Sequence, residues 1–342
     1  MSEDSRFKPL VDLVDKASTI VIIQADNPDV DSLASALALE SILEQLGKTV
    51  ILYCGVELPS YMHYIPGWDR VIDVLPKQFD ASIIVDTSSD GLLSQLDKRG
   101  EKAWLAAKPS VAIDHHATDA SLTISEIISD PKAVSTTEII YEIAKHLDWE
   151  LDKSAMDMIA IGILSDSLGL MAGSTTSKTI RIIAELVDKG VKLAELDNAR
   201  RETMRKEPEL IAYKGKLLQR VEFVDNGRIA LLVIPWDEIE KYSPLYNPPM
   251  LVIDDMRLGK NTDLAVCFKT YNDGKVTAKL RANYGKGIAD KLAEHFGGGG
   301  HPYAAGFKIT DGRSLDEIRQ ETIEVASKLL DDREKELHAE AV

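Results

Sequence analysis

The chain has 342 residues, 44% hydrophobic and 28% charged, a globular composition with room for two domains. Its 56 acidic residues outnumber 40 basic ones, for a net charge of −16. Long duplexes are held by basic surfaces that neutralise phosphates, so this balance argues against broad duplex binding, though not against a small phosphorylated ligand held in a local pocket.

In chain order, residues 19–23 (TIVII) read as a buried strand, followed by the loop QADNPDVD. A helix is expected from Ser32 to Leu46, with Leu33, Leu37 and Ala38 on its apolar side and Gly47 as its C-cap. TVILY (49–53), SIIVD (82–86) and SVAID (110–114) are three further strands, the last two ending on aspartates. Helices are expected over 135–147, 153–165 and 176–190. Strands alternating with helices predict a doubly wound, mostly parallel sheet. The charged, helical stretch from about 191 to 218 reads as a connection between domains. Two hairpins follow, marked by Asn-Gly in RVEFVDNGRIALLVI and Asp-Gly in LAVCFKTYNDGKVTAKLRA. A last helix opens at Ser314, where Ser314 and Glu317 form a capping box. The expected layout is an α/β metal-binding domain over 1–195, a helical linker over 196–219 and a smaller α/β domain over 220–342.

No apolar run approaches the roughly 20 residues of a membrane span, and the opening MSEDSRFKPL lacks a cationic, apolar leader. Cys54 and Cys267 lie far apart without metal-like spacing and read as buried, reduced thiols. A cytoplasmic protein is expected.

The chemistry gathers at strand ends. Asp29 and Asp31 follow the first strand, Asp86 ends another, and Asp114, His115 and His116 end a third. Asp166 follows an apolar helical run. Singly, each carboxylate has an ordinary reading as a helix cap or strand-end turn. In a parallel sheet these ends share one edge, where unpaired carboxylates repel unless cations join them. Oxygen ligands with an imidazole suit Mn²⁺, Mg²⁺ or a similar divalent ion, and a two-ion site would clamp a phosphate.

AIDHHAT, NPDVDS, VDTSS, GILSDS and the late FGGGGHPYAAGF together resemble the motif series of the DHH phosphoesterase family, DHHA1 subgroup, in order and over nearly the whole chain. That group includes oligoribonucleases and 3′-phosphoadenosine-5′-phosphate phosphatases, cyclic-dinucleotide phosphodiesterases and, more distantly, RecJ exonucleases. The resemblance implies a metal set of Asp29, Asp31, Asp86, His115 and Asp166, with Asp86 bridging. It gives His116 a phosphate contact and Asp114 the orientation of a histidine, so catalytic roles fall on His116, Asp86 and Asp114. It implies substrate contacts from Arg281, Gly298, Gly299, Gly300 and His301. The chain departs from the pattern at Ala25, where the family's first motif usually carries a histidine, and at Ala282, where a serine usually follows the arginine.

The resulting expectation is hydrolysis of phosphoester bonds in small nucleotides by a metal-activated hydroxide: short oligoribonucleotides, linear or cyclic dinucleotides, or 3′-phosphonucleotides. The alternatives are a single-strand exonuclease of RecJ type, or a nucleotide sensor with catalysis weakened at Ala25. The partner is a small nucleotide, with no long duplex and no membrane; the apolar helical faces are compatible with a homodimer.

Overall fold

The structure is a computed structural model and describes residues 6–117 and 120–340. The first five residues, part of the stretch read for a leader, and Thr118 and Asp119 behind the histidine pair lie outside the described residues. The chain divides into two units, up to Arg205 and from Lys206 onward.

The first unit runs α1 (Lys8–Lys16), β1 (Thr19–Gln24), α2 (Val30–Gln45), β2 (Thr49–Cys54), β3 (Ala81–Val85), α3 (Ser94–Lys98), α4 (Lys102–Ala106), β4 (Ser110–Asp114), β5 (Glu126–Ser129), α5 (Thr136–His146), α6 (Lys153–Asp166), α7 (Ser177–Asp188) and α8 (Leu193–Met204). Its five strands are all parallel, in the order β2-β1-β3-β4-β5. Ile20 and Ile22 of β1 pack on one side with α2, α5 and α6, while Val21 and Ile23 pack on the other with Leu96 and Leu105. Period-2 alternation thus feeds two apolar layers, and the sheet is doubly wound.

In this sheet and its covering helices, α2 and β5 differ from the sequence reading. Helix α2 is not half-exposed: Asp31 through Glu40 are all buried, because α5 and α6 cover the side turned away from the sheet. β5 is an additional parallel edge strand, too short at four residues to stand out by periodicity.

The stretch read as one connecting helix is two. α8 ends at Met204, and α9 (Pro208–Gln219) begins with Pro208 in its first turn. Proline lacks the N–H that a continuing helix needs, but fits a first turn. Leu210, Tyr213 and Leu217 of α9 are buried in a core of the second unit, so this helix is part of that domain's packing.

The second unit continues with β6 (Glu222–Val224), β7 (Ile229–Ile234), α10 (Trp236–Tyr242), α11 (Pro249–Met256), β8 (Leu264–Thr270), β9 (Val276–Ala282), α12 (Ala289–His295), β10 (Gly299–His301), β11 (Ala304–Ile309) and α13 (Leu315–Glu340). Its sheet has the order β10-β11-β9-β8-β7-β6. Both expected hairpins are present, β6–β7 and β8–β9. β7 and β8 are parallel, joined by a crossover through α10 and α11. The capping box at α13 forms as read: Glu317 accepts from the Ser314 N–H at 2.8 Å, and Ser314 Oγ accepts from the Glu317 N–H at 3.3 Å. Cys54 and Cys267 are free and buried. Among the described residues no helix is long and apolar enough to cross a membrane.

Candidate functional site

In the order β2-β1-β3-β4-β5 the chain leaves β1 towards β2 on one side, and runs from β3 to β4 and β5 on the other. Such a reversal opens a crevice at the carboxyl ends of the two central strands. Asp29 and Asp31 follow β1, Asp86 follows β3, and the histidine pair follows β4. The carboxyl end of α6 brings Asp166 to the same place.

Two sets of potential ligand atoms meet there. Asp86, His115 and His116 offer atoms within 4.8 Å of one another, as do Asp31, His115 and Asp166. His115 belongs to both. Its Nε2 lies 3.6 Å from Asp86 Oδ1 and 3.3 Å from Asp166 Oδ2, yet it is buried and has no hydrogen-bond partner among the described residues. A buried polar atom without a partner is costly, and facing two carboxylates it fits a cation between them. Asp29 joins neither set. It caps α2, accepting from the Ser32 N–H at 3.0 Å, while its charge still acts on Asp31, Asp86 and Asp166.

The amino end of α5 holds the carboxylates in place. Asp31 accepts from the Thr136 N–H at 2.6 Å, the Thr137 N–H at 3.2 Å and the Thr137 hydroxyl at 2.7 Å. The Thr136 hydroxyl donates to Asp86 Oδ1 at 2.9 Å. A helix start presents free N–H groups and favours a carboxylate. The sequence signal was Ser135-Thr-Thr-Glu138, a cap pattern; Ser135 Oγ does accept from the Glu138 N–H. Gly162 on α6 is equally necessary. A Cβ there would collide with the Asp31 carboxylate and the Thr137 hydroxyl. Asp86 itself has φ of +61°, a left-handed conformation that aspartate tolerates better than most residues.

Charge is stored in this cluster. Burial pushes the Asp31 carboxyl above its ordinary value, against the pull of His115 and the α5 hydrogen bonds. Burial, and then the charges of Asp31, Asp29 and Asp166, push Asp86 well up. Burial, and then Asp31 and Asp29, raise Asp166 to about 8. Asp114 behaves differently. Burial would raise it, but hydrogen bonds led by His116 hold it below the usual carboxylate value. It is therefore an acceptor, and His116 donates from Nδ1 at 2.7 Å and from its backbone N–H at 3.1 Å. The same bond raises the His116 imidazole. His116 is the exposed member of the pair, with 47% of its side chain accessible.

Ala25 leaves a gap. Its buried methyl cannot bind a cation. Asp26 does not replace it, since its Oδ2 accepts from Ser94 Oγ at 2.9 Å and the Gln95 N–H at 2.8 Å. Gln24 is fully buried, and neither atom of its amide has a partner among the described residues.

In the second unit, Arg281, Gly298, Gly299 and Gly300 line one cavity of about 750 Å³. The glycine run is not an open loop. Gly299 to His301 form the edge strand β10 against β11. Gly298 and Gly300 are required because a Cβ at either would strike β11 backbone, whereas Gly299 faces open space. His301 is exposed, and registers with Ala304, which in turn registers with Arg281. His295 bonds Glu321 at 2.8 Å on the surface. Sequence reading did not assign Thr136, Thr137 or Gly162, nor the lysines that share the cavity with Arg281.

Residues 19–163 match the DHH family N-terminal domain and residues 252–328 match the DHHA1 domain. The bifunctional oligoribonuclease and PAP phosphatase NrnA of Bacillus subtilis is 25% identical over 317 residues, covering 90% of this chain and 95% of its own. An exopolyphosphatase-related protein from Bacteroides fragilis shares the fold, with TM-score 0.79 and 20% identity over 96% of this chain and 98% of its own. The exonuclease RecJ bound to manganese has TM-score 0.51 and 14% identity over 95% of this chain and 94% of that one. With both domain models matched in that order, the chain belongs to the DHH family of phosphoesterases, a DHH domain followed by a DHHA1 domain.

Proposed function

We propose that this chain is a metal-dependent hydrolase of phosphoester bonds in small nucleotides, short oligoribonucleotides and 3′-phosphonucleotides before cyclic dinucleotides. The observation that carries the reading is His115 Nε2, buried, without a hydrogen-bond partner among the described residues, and set between two carboxylates whose charge burial opposes. Asp31, Asp86, His115 and Asp166, with Asp29 from the capping position, would hold divalent cations, Mn²⁺ or Mg²⁺. When bound, these would supply an activated water and neutralise phosphoryl charge.

The chain's own groups do the rest. The α5 hydrogen bonds fix the Asp31 and Asp86 oxygens, so they need not reorganise when substrate arrives. Asp114 keeps the proton on His116 Nδ1 and favours the imidazolium, leaving the Nε2 proton to be offered to a phosphoryl oxygen or a leaving oxygen. Arg281 would clamp a phosphate. The name of the Bacillus subtilis relative supports this substrate range. The acidic balance of the chain weighs against a RecJ-type exonuclease.

A second reading rests on Ala25: a nucleotide sensor in which one cation is held too weakly for turnover. Mn²⁺-dependent hydrolysis of pApA, cyclic di-AMP, 3′-phosphoadenosine-5′-phosphate and a long single strand separates these readings. Asp86→Asn is the control, since asparagine tolerates the left-handed backbone while losing the charge. Turnover of a short nucleotide, reduced in that variant by on the order of a thousandfold, is expected. Nucleotide binding without turnover gives the sensor; turnover of the long strand alone gives the exonuclease.

A further inference from the structure

The turn between α6 and α7 leaves the acidic cluster directly. Asp166 closes α6, and from Ser167 to Ser177 no residue carries a charge, in a chain that is 28% charged. Ser167 is buried and folds the turn back on itself. Its carbonyl accepts from the Met171 N–H at 2.7 Å and the Ala172 N–H at 2.8 Å, and its hydroxyl accepts from the Leu170 N–H at 2.9 Å. The far end is fixed as well. Thr176 Oγ1 caps α7 by accepting from the Thr179 N–H at 3.2 Å, and the Thr179 hydroxyl donates to the buried Glu138 of α5 at 2.8 Å. Glu138 directly follows Thr136 and Thr137, which hold Asp31 and Asp86. Both ends of the turn are thus tied to the elements that build the site.

The turn is held against the preference of two of its residues. Leu168, Gly169 and Leu170 have φ of +52°, +70° and +70°. Glycine takes that left-handed region freely, whereas a leucine there is strained. Leu170 is compensated, because it packs on the core of the first unit. Leu168 is not: it is 74% exposed, and Met171 beyond it is 84% exposed. A fold that keeps a strained leucine in water, two residues past a candidate cation ligand, gains from it when something covers it.

The neighbourhood bears on what covers it. The acidic cluster repels any anion that no cation holds, and the uncharged turn offers a phosphate no counter-charge. A bare phosphoanhydride at the cluster would leave Leu168 and Met171 wet. A phosphate esterified to a nucleoside brings a neutral, planar base with it, and the face of a base suits a leucine and a polarizable thioether.

We propose that Leu168 and Met171 form an apolar shelf for the nucleobase nearest the phosphate at the acidic cluster, so that the first unit itself selects nucleotides over phosphate compounds without a base. This rests on the reading that the substrates are small nucleotides, and it makes Leu168 and Met171 specificity residues of that site.

The test is calorimetric binding of AMP and of ribose 5-phosphate, the same phosphate without the base, to the whole chain in Mn²⁺. Wild type is expected to bind AMP about tenfold more tightly, the worth of covering roughly 55 Å² of apolar surface. Leu168→Asn/Met171→Gln keeps the side-chain size, and asparagine tolerates a left-handed backbone. That variant should melt no lower than wild type, bind ribose 5-phosphate unchanged and prefer AMP by about twofold or less. Ile180→Gln/Val187→Gln, a similar loss of exposed apolar surface on α7, should keep the tenfold ratio. Equal binding of the two ligands by wild type overturns the proposal, as does an unchanged ratio in the first variant or an equal loss in the second. A first variant that keeps its preference for AMP but changes its sedimentation also overturns it, in favour of contact with a second protein. If the double variant does not fold, Met171→Gln alone, at an exposed position without left-handed backbone, gives the same comparison. Turnover is a separate readout. A chain that prefers AMP through this turn but hydrolyses no nucleotide in Mn²⁺ sinks the proposed function and keeps the shelf; one that hydrolyses nucleotides with no preference for AMP sinks the shelf alone.

Discussion

The edge of the parallel sheet gathers carboxylates, and the open face of the mixed sheet gathers cations. The first set is deep: Asp31 is 0% exposed and Asp86 6%. The second is half-exposed along β9. Water therefore screens Lys279 and Arg281 of β9 but not the aspartates, whose carboxyls burial pushes well up. A binding site strains its empty fold in proportion to how deeply it buries like charge. The acidic cluster should accordingly dominate the response of the molecule to its ligands.

That difference is sharpest in the metal-free protein. Asp166 is raised from 3.8 to about 8 by folding. A carboxyl raised in the folded state binds its proton more tightly there, so stability is greatest near and below the unfolded value and falls as pH rises through the window up to about 8. EDTA-treated protein should melt lower at pH 8 than at pH 6, with a slope up to about 1.4 kcal/mol per pH unit for one such proton. Asp166→Asn should flatten that slope. Mn²⁺ acts in the opposite sense, because it binds the deprotonated carboxylates and stabilises more as pH rises. At a hundred times its dissociation constant it should raise the melting temperature of the first unit by about 5–10 °C. Inorganic phosphate at the second unit should give a smaller shift. Hydrogen exchange resolves the two units; equal protection by both ligands would break the comparison.

How much of this was visible in the sequence follows the same division. The runs TIVII, SIIVD and SVAID are legible because a strand buried on both faces is apolar at every position. The four-residue β5 carries no such run. Which residues meet across long separations is a property of packing. Asp31 and Thr136–Thr137 are over a hundred positions apart, and the need for Gly162 appears only once α6 lies against both. In the second unit, the alternation in VTAKLRA is plain, but nothing in it says which side α10 and α11 will cover. The four glycines invite a loop reading, and only the register of β10 against β11 explains why Gly298 and Gly300 lack side chains.

A smaller effect tests an aspartate at the acidic edge whose charge is favoured by its partners. Asp114 is held below its ordinary value, and its bond to His116 is the reason His116 is raised. Asp114→Asn keeps an acceptor but loses the charge. His116 should then release its proton at lower pH, and the alkaline limb of the pH–rate profile should move down. Turnover at neutral pH should fall by about 10–100-fold, as for other partners that orient a site histidine. A fall in rate with an unmoved pH profile would mean that Asp114 only supports the loop.

The smallest predicted change concerns Ala25. The site offers carboxylates on one flank of the crevice and a methyl group at the end of β1. Asp26 is committed to Ser94 and Gln95, and the buried Gln24 amide has no partner among the described residues. If the position is truly without a ligand, Ala25→His should tighten Mn²⁺ binding by about tenfold, the lower end of what a single supporting group contributes in metal sites. An imidazole in so closed a place also risks overpacking of about 1–3 kcal/mol, so affinity is read beside the melting temperature of the metal-free variant. Tighter metal with a modest loss of apo stability would place the acidic edge one ligand short, and would make the cluster's unrelieved charge its natural state. Unchanged affinity in a folded variant would mean that Gln24 or another group already serves there, and that the difference between the two units is smaller than the carboxylates alone imply.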